Sequence, residues 1–201
     1  MSNQPIRKPQ QQRSIEKRNK IIEAGYQLFS EKGYYKTNTA EIAKLAGVST
    51  GIVYSYFKDK KDIFMIVIKE YEKSIEAPIY HLIQNLKPPF DLASVVRQII
   101  IKLTETHTMA KSVHEELQAL AHTDEEIGAL FCQIQSDFAI NTVNIMEKLG
   151  IHTDNAYEKA LLIFSLVEYL NHEMVYHQHE YLNYEVMTEV VIKTIVDMLT
   201  S

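Results

Sequence analysis

The sequence predicts an all-α protein of about nine helices, and three observations point to this fold class. Apolar residues recur at helical spacing along most of the 201 residues, and no stretch shows the sustained alternation of a β-strand. The Asn-Gly and Asp-Gly pairs that mark tight hairpins do not occur. Six glycines and five prolines leave little sequence for long loops. The 46% hydrophobic content is enough to bury a core, as one domain or two small ones.

The first helix is predicted to start near Ser14. Residues 1–13 are polar and basic, and we expect them to form a flexible arm. Ile21, Gly25 and Leu28 then follow one another at spacings of four and three residues, which is the period of one helix face. Gly33 is suited to end this helix.

Two short helices separated by a tight turn are predicted next. Asn38 and Glu41 have the spacing of a capping box, which marks the start of a helix. This helix ends at Ala46-Gly47-Val48, and Ser49 is placed to cap a third helix over residues 50–57. Because glycine permits the tight turn between them, the two helices predict a helix-turn-helix.

The remaining helices are longer and amphipathic. The fourth starts at Asp59–Asp62 and carries an apolar stripe as far as Ile75. Pro78 is expected to kink or break it, and Lys87-Pro88-Pro89 ends it. Five further amphipathic stretches follow, at residues 91–107, 111–121, 124–149, 155–178 and 184–199.

The charge of the chain changes sign along its length. Residues 1–73 contain 14 lysines and arginines against 8 acidic residues, whereas residues 74–201 contain 7 against 18. A basic region gains affinity for a phosphate backbone by releasing counterions, and an acidic region is repelled from it. Chance clustering of surface charge is the alternative. The asymmetry predicts that the first part binds nucleic acid and that the second has a different partner.

The sequence also argues against a membrane or secreted protein. The longest apolar run, Ile63 to Ile68, has six residues, whereas about 20 are needed to cross a bilayer. The N-terminus lacks the apolar segment of a secretory signal. Cys132 is the single cysteine, so no intrachain disulfide is possible and a reducing compartment is indicated. We therefore expect a cytoplasmic protein that does not bind membranes.

No enzyme, cofactor or metal site is predicted. The six glycines form none of the motifs GxGxxG, GxxxxGK or GxSxG. His172, His177 and His179 are separated by five and two residues, so they do not share one face of a helix. We interpret the eight histidines as surface or core residues.

A dense set of motif residues lies between residues 15 and 64. It comprises Ala24-Gly-Tyr-Gln-Leu28-Phe29-Ser-Glu-Lys-Gly33-Tyr34, Thr37, Ile42-Ala43, Gly47-Val48-Ser49, Gly51, Tyr54, Tyr56-Phe57 and Lys60. Together they resemble the N-terminal domain of the tetracycline-repressor (TetR) family. Thr39, Lys61 and Ile63 depart from the family pattern, but they do not disturb the turn or the third helix.

The resemblance implies a homodimer whose third helices lie in successive major grooves of double-stranded DNA, at a near-palindromic operator. Hydroxyls and lysines near a helix N-terminus suit phosphate contacts, and a helix in the groove presents three or four side chains to base edges. The DNA contacts expected on this basis are Lys36, Thr37, Ser49, Thr50, Gly51, Tyr54, Ser55, Tyr56, Lys58 and Lys60. We favour Tyr56 as a direct contact over Tyr54, for which core packing is the alternative.

The resemblance also implies how the chain is divided. We expect a three-helix DNA-binding domain at residues 14–60 and a helical ligand-binding and dimerisation domain at residues 61–201, behind the arm at residues 1–13. The last two helices are expected to form the dimer contact, although some of their apolar residues must face the core of the same subunit. The apolar residues available are Leu161, Phe164, Leu166, Val167, Leu170, Met174, Val186, Val190, Val191, Ile195 and Met198.

A repressor that a small molecule releases from its operator is the function this family implies. Polar and aromatic residues inside apolar stretches are candidates for the ligand pocket: His107, His114, Gln118, Phe138, Asn141, Tyr169, His172 and Tyr176. Packing or surface exposure is the alternative for each of them. The acidic second part, with Arg97 as its single arginine, favours a neutral or cationic ligand. The alternative function is a DNA-binding division or nucleoid-type factor whose second domain binds a protein.

Overall fold

The computed structural model describes residues 12–109 and 111–201, and these residues form nine α-helices and one π-helical turn, without a β-strand. The predicted all-α fold is therefore confirmed. The helices are α1 (Gln12–Lys32), α2 (Thr39–Leu45), α3 (Thr50–Tyr56), α4 (Lys60–Gln84), α5 (Leu92–Met109), α6 (Lys111–Ala121), α7 (Glu125–Lys148), α8 (Ala156–His172) and α9 (Tyr184–Thr200), and the π-helix is Glu173–His177.

Side-chain caps start the short helices where the sequence predicts them. The Asn38 side chain accepts the backbone N–H of Glu41 at 3.0 Å, and the Ser49 hydroxyl accepts that of Ile52 at 3.4 Å. The Glu41 carboxylate also pairs with Lys32 Nζ at 2.8 Å, and the hydrogen bonds from Lys32 and from the backbone of Asn38 lower its pKa.

The fourth helix contains Pro78, where the sequence predicts a kink or a break. This helix continues through the proline as far as Gln84, so Pro78 does not end it. A proline in a helix lacks the N–H that would bond to the previous turn. Pro78 lies on the exposed side of the helix.

The described chain divides into two compact units. The first contains residues up to Lys73 together with those from α6 to Ile127, and the second contains the rest. The first unit therefore extends beyond the expected domain boundary at residue 60, because the first half of α4 belongs to its core. The change of charge after residue 73 falls at the edge of this unit.

The core of the first unit joins α1 to α4. Phe29 and Phe64 pack edge to face with their ring centroids 5.1 Å apart, and both are fully buried. Gly25 lets the two helices approach closely, since a Cβ atom there would lie 2.7 Å from Ile63 Cγ2. These contacts position the start of α4 beside the helix-turn-helix.

The core of the second unit is formed by α5, α8 and α9. Its buried residues include Ile100 and Leu103 of α5, Leu170 of α8, and Val191 and Ile195 of α9. None of the helices within residues 12–109 and 111–201 combines the length and the apolar character that crossing a membrane requires.

Candidate nucleic-acid interface and ligand cavity

The turn between α2 and α3 is closed by backbone hydrogen bonds. The Val48 N–H donates to the Ala43 carbonyl oxygen at 3.0 Å, and the Gly47 N–H donates to the Lys44 carbonyl oxygen at 3.2 Å. Gly47 has a φ of +67°, in the left-handed region where a side chain would be strained. Val53 and Phe57 are buried on one side of α3, so the helix is held by that side and its other side faces solvent.

The exposed side of α3 brings together most of the predicted DNA contacts. The exposed residues of this set are Ser49, Thr50, Gly51, Tyr54, Ser55 and Lys58, and Lys36 is exposed nearby in sequence. Tyr54 has 53% of its surface exposed, which makes it the most accessible aromatic residue of the helix. The Ser55 hydroxyl donates to the Ile52 carbonyl oxygen at 2.7 Å and still has acceptor capacity.

The two tyrosines of α3 differ in exposure, and Tyr54, for which core packing was the alternative, is the more exposed. Tyr56 is half-buried, and its hydroxyl lies 2.7 Å from the hydroxyl of Ser14 in α1. Its ring also lies against that of Phe57, with the centroids 6.5 Å apart. In the protein without DNA, Tyr54 is therefore the better placed of the two for a base contact.

Thr37 requires a correction. Its side chain is only 2% exposed, and its hydroxyl donates to the carbonyl oxygens of Gly33 at 2.8 Å and Leu28 at 3.3 Å. The hydroxyl therefore ends α1 by satisfying carbonyl groups of its last turn. It is not available to a DNA phosphate.

Lys60 is bound within the protein. Its Nζ atom donates to the Tyr34 carbonyl oxygen at 2.7 Å and lies 4.1 Å from the centroid of the Tyr34 ring. Burial lowers the pKa of Lys60, and the nearby carboxylate of Glu116 acts in the opposite direction. One of the three N–H groups of the Lys60 ammonium is thus used within the protein.

Acidic residues of α6, of α7 and of the loop between them bind the loop after α1 and the start of α4. Glu116 accepts the backbone N–H of Tyr34. Lys61 pairs with Asp124 at 3.1 Å and also with Glu126. The hydrogen bond from Lys61 and the backbone N–H of Ile127 lower the pKa of the Asp124 carboxyl group. The acidic residues of this segment are thus structural within the basic first unit.

A cavity of about 140 Å³ lies inside the second unit. Its wall is formed by the second half of α4 and by α5, α7, α8 and α9, and most of it is aliphatic. The apolar lining residues include Val96, Ile100, Leu103, Met146, Ile163, Val167, Ile195 and Leu199. Four polar or partly polar residues interrupt this surface, and they are Glu76, Tyr80, Asn141 and Thr142.

Two of the eight predicted ligand residues line this cavity, Phe138 and Asn141. The other six do not line it: His107, His114, Gln118, Tyr169, His172 and Tyr176. The side chains of His114 and Gln118 lie in the first unit and are 3.1 Å apart. Tyr169 is 58% exposed, and the rings of His172 and Tyr176 pack on each other 4.7 Å apart.

His107 is buried in the second unit, where it contacts α8 and its own helix, α5. Its Nε2 atom lies 3.1 Å from Glu168, and its Nδ1 atom lies 2.8 Å from the Leu103 carbonyl oxygen. Burial acts to lower the pKa of His107, but the hydrogen bond and charge of Glu168 outweigh it, so the pKa is raised. His107 thus joins α5 to α8 rather than facing the cavity.

Sequence reasoning missed Glu76, Tyr80 and Thr142. The signal was present in α4, where Glu76 and Tyr80 are four residues apart and lie on one face of the helix. Ile79 and Ile83 line the same cavity. A carboxylate within such an apolar face was the signal that could have found them.

The last two helices leave a set of large apolar residues exposed. Leu161 and Leu162 of α8 are 43% and 59% exposed, and Val186 and Val190 of α9 are 57% and 59% exposed. Other predicted interface residues face the core of the same unit, namely Val167, Leu170, Val191 and Ile195. The structure thus separates the apolar residues of these two helices into an exposed set and a set that is buried in their own unit.

Comparison with known proteins agrees with these features. Residues 21–65 match the model of a family described as bacterial regulatory proteins, tetR family. The chain is 43% identical over 76 residues to the transcriptional regulator HbdR of Aromatoleum sp. (strain CIB), which is 38% of this chain and 33% of HbdR. It is 31% identical over 143 residues to the regulator AcrR of Shigella flexneri, which is 70% of this chain and 66% of AcrR.

The chain thus spans 33% of the length of HbdR and 66% of the length of AcrR. A solved structure from Mesorhizobium loti MAFF303099, assigned to the TetR-family transcriptional regulators, superposes with a TM-score of 0.72 at 20% identity. The superposition covers 93% of this chain and 98% of the other. At this level of identity the similarity shows that the two chains share a fold.

Proposed function

The chain belongs to the tetR family of bacterial regulatory proteins, and we propose that it is a DNA-binding transcriptional repressor that a small molecule releases from its operator. The observation that carries the proposal is the exposed side of α3. There a capped helix, held to its unit by Val53 and Phe57, presents Thr50, Tyr54 and Ser55 to solvent. A helix of this kind can enter the major groove and contact base edges.

The exposed apolar residues of α8 and α9 support a homodimer. Leu162 and Val190 are each 59% exposed, and an exposed apolar surface of this kind favours association. In a two-fold dimer, the α3 helices of the two subunits would lie about 34–36 Å apart on a near-palindromic site in B-DNA. The protein would act in the cytoplasm, where the chromosome is located.

The cavity of the second unit supports release by a ligand. Helix α4 starts at Lys60, beside the helix-turn-helix, and its second half supplies Glu76, Tyr80 and Ile83 to the cavity wall. A ligand that prefers a shifted position of α4 would change the distance between the α3 helices of the two subunits. It would thereby shift the population away from the DNA-binding state. The cavity also favours this function over a division or nucleoid-type factor, whose second domain would bind a protein instead.

The DNA-binding part is tested by selecting fragments of sheared genomic DNA with the purified protein. The best fragment is then titrated at several salt concentrations with the wild type, with Tyr54→Ala and with Tyr181→Ala. Tyr181 is an exposed tyrosine of the second unit and serves as the matched control. We expect steep salt dependence and one near-palindromic site.

Tyr54→Ala should weaken the selected site by about tenfold or more, as expected for a lost base contact. It should affect bulk DNA much less, and Tyr181→Ala should bind as the wild type does. Binding that is indifferent to sequence would contradict the repressor function.

A further inference from the structure

The polar residues of the cavity come from two facing helices. Glu76 and Tyr80 belong to α4, whereas Asn141 and Thr142 belong to α7. The side-chain amide of Asn141 donates to Glu76 Oε1 at 3.1 Å, which brings the two helices together at this point of the wall. The amide thereby orients the carboxylate within an otherwise aliphatic surface.

Among the described residues that line the cavity, Glu76 is the one with a charged side chain. Within the part of the chain that the structure describes, no Lys, Arg or His forms an ion pair with it. A carboxylate can accept about four hydrogen bonds, whereas Glu76 receives one from the described residues, from Asn141. Its remaining acceptor capacity is available to an occupant of the cavity.

Tyr80 lies near Glu76 and has the properties of a partner for a cation. Burial raises the pKa of the Tyr80 phenol, and the negative charge of Glu76 raises it further. The phenol therefore stays neutral and keeps both its hydroxyl group and its electron-rich ring face. Such a face attracts a cation within about 6 Å of its centroid.

The other properties of the cavity restrict the occupant further. An anion would lie beside the Glu76 carboxylate and be repelled by it. A fully apolar molecule would displace water from this carboxylate without replacing the hydrogen bonds of that water. The volume of about 140 Å³ is close to that of an apolar protein cavity that holds a benzene molecule, about 150 Å³. A body of about the size of one aromatic ring therefore fits without rearrangement of the wall.

We infer that the natural ligand of this cavity is a compact apolar molecule with a cationic ammonium group, which Glu76 binds with the support of Asn141 and Tyr80. This inference rests on the proposed function, because it names the chemical class of the effector. The ammonium group would form a charge-assisted hydrogen bond with Glu76, and the apolar body would replace water against the aliphatic wall.

The test is calorimetric titration of the full-length protein, without DNA, at neutral pH. Three probes of matched size are compared: benzylammonium, benzyl alcohol and benzoate. The variants are Glu76→Gln, which keeps the shape of the side chain and removes its charge, and Glu147→Gln, which removes the charge of an exposed residue elsewhere on α7.

We expect the wild type to bind benzylammonium about tenfold more tightly than benzyl alcohol, as a hydrogen bond to a charged group predicts. Benzoate should bind least. Glu76→Gln should lose this advantage while its affinity for benzyl alcohol changes little, and Glu147→Gln should behave as the wild type does. The order of the three affinities on the wild type is by itself a test, so a folding defect of a variant cannot hide the result.

Equal binding of the three probes, or preferred binding of benzoate, would overturn the inference. So would the absence of binding by benzylammonium, or an unchanged affinity of a folded Glu76→Gln protein for it. Displacement of the selected operator DNA is measured separately by fluorescence anisotropy. Binding of benzylammonium without release of DNA would contradict the proposed release but not the ligand class, whereas release by an anionic or neutral molecule alone would contradict only the ligand class.

Discussion

The side-chain hydroxyls of Ser14 and Tyr56 lie 2.7 Å apart and join α1 to the last residue of α3. This contact holds the half-buried Tyr56 ring against the first helix. It gives the hydroxyl of Tyr56 a structural role in the protein without DNA. The adjacent face, with Tyr54, is left open.

Tyr56→Phe should lower the free energy of unfolding by about 1 kcal/mol, because it removes one partly buried hydrogen bond. Ser14→Ala should cost a similar amount, and the double variant should cost little more than either one. Urea denaturation of the four proteins measures this coupling. Unchanged stability of Tyr56→Phe together with lost operator binding would instead assign the hydroxyl to DNA.

Gly33→Ala should destabilise the first unit more than Gly47→Ala does. Both glycines have positive φ angles, +83° and +67°, and an alanine in this region costs about 1–2 kcal/mol. At Gly33 the new Cβ atom would also collide with the Glu116 carboxylate, whereas nothing lies within 4 Å at Gly47. Denaturation curves of the two variants compare these costs, and equal losses would mean that Glu116 moves aside freely.

The pairing of Asp124 with Lys61 should make stability depend on pH in the acidic range. The folded protein lowers the pKa of Asp124 below its usual value of 3.8, chiefly through the hydrogen bond from Lys61. Asp124 therefore contributes stability that is fully present above this value and is lost as the pH falls through the lower, folded-state pKa.

Asp124→Asn should accordingly be less stable than the wild type at pH 6, and the difference should shrink toward pH 2. Thermal unfolding at several pH values measures it. Glu125→Gln is the control, since Glu125 is an exposed neighbour of Asp124 with no ion pair to a described residue. A difference that stays constant with pH would show that the loss does not come from the charge of Asp124.

Val190→Glu should convert a dimer into monomers, because it places a charge within the exposed apolar face of α8 and α9. Leu45→Glu is the matched control, since Leu45 of α2 is also exposed, at 46%, but lies in the first unit. Size-exclusion chromatography with light scattering gives the mass of each protein. A monomeric wild type, or a Val190→Glu protein that remains dimeric, would place the interface elsewhere.

The sequence by itself determined the features that depend on neighbouring residues. The starts of α2 and α3 follow from Asn38 and Ser49, whose side chains cap backbone groups three residues later. The turn between these helices follows from Gly47, because its positive φ angle is a local requirement. The later helices were predicted from apolar residues that recur at helical spacing, and this pattern also depends only on nearby residues.

Only the tertiary structure decided which side chains are available. Thr37 is turned toward the carbonyl groups of α1, and Lys60 is bound to Tyr34, 26 residues away. Residues 65 positions apart meet where Asn141 reaches Glu76. The same packing buries Val191 and exposes Val190. Helical spacing shows that a residue lies on an apolar face, but the partner on that face comes from a distant part of the chain, and its position depends on how the helices pack.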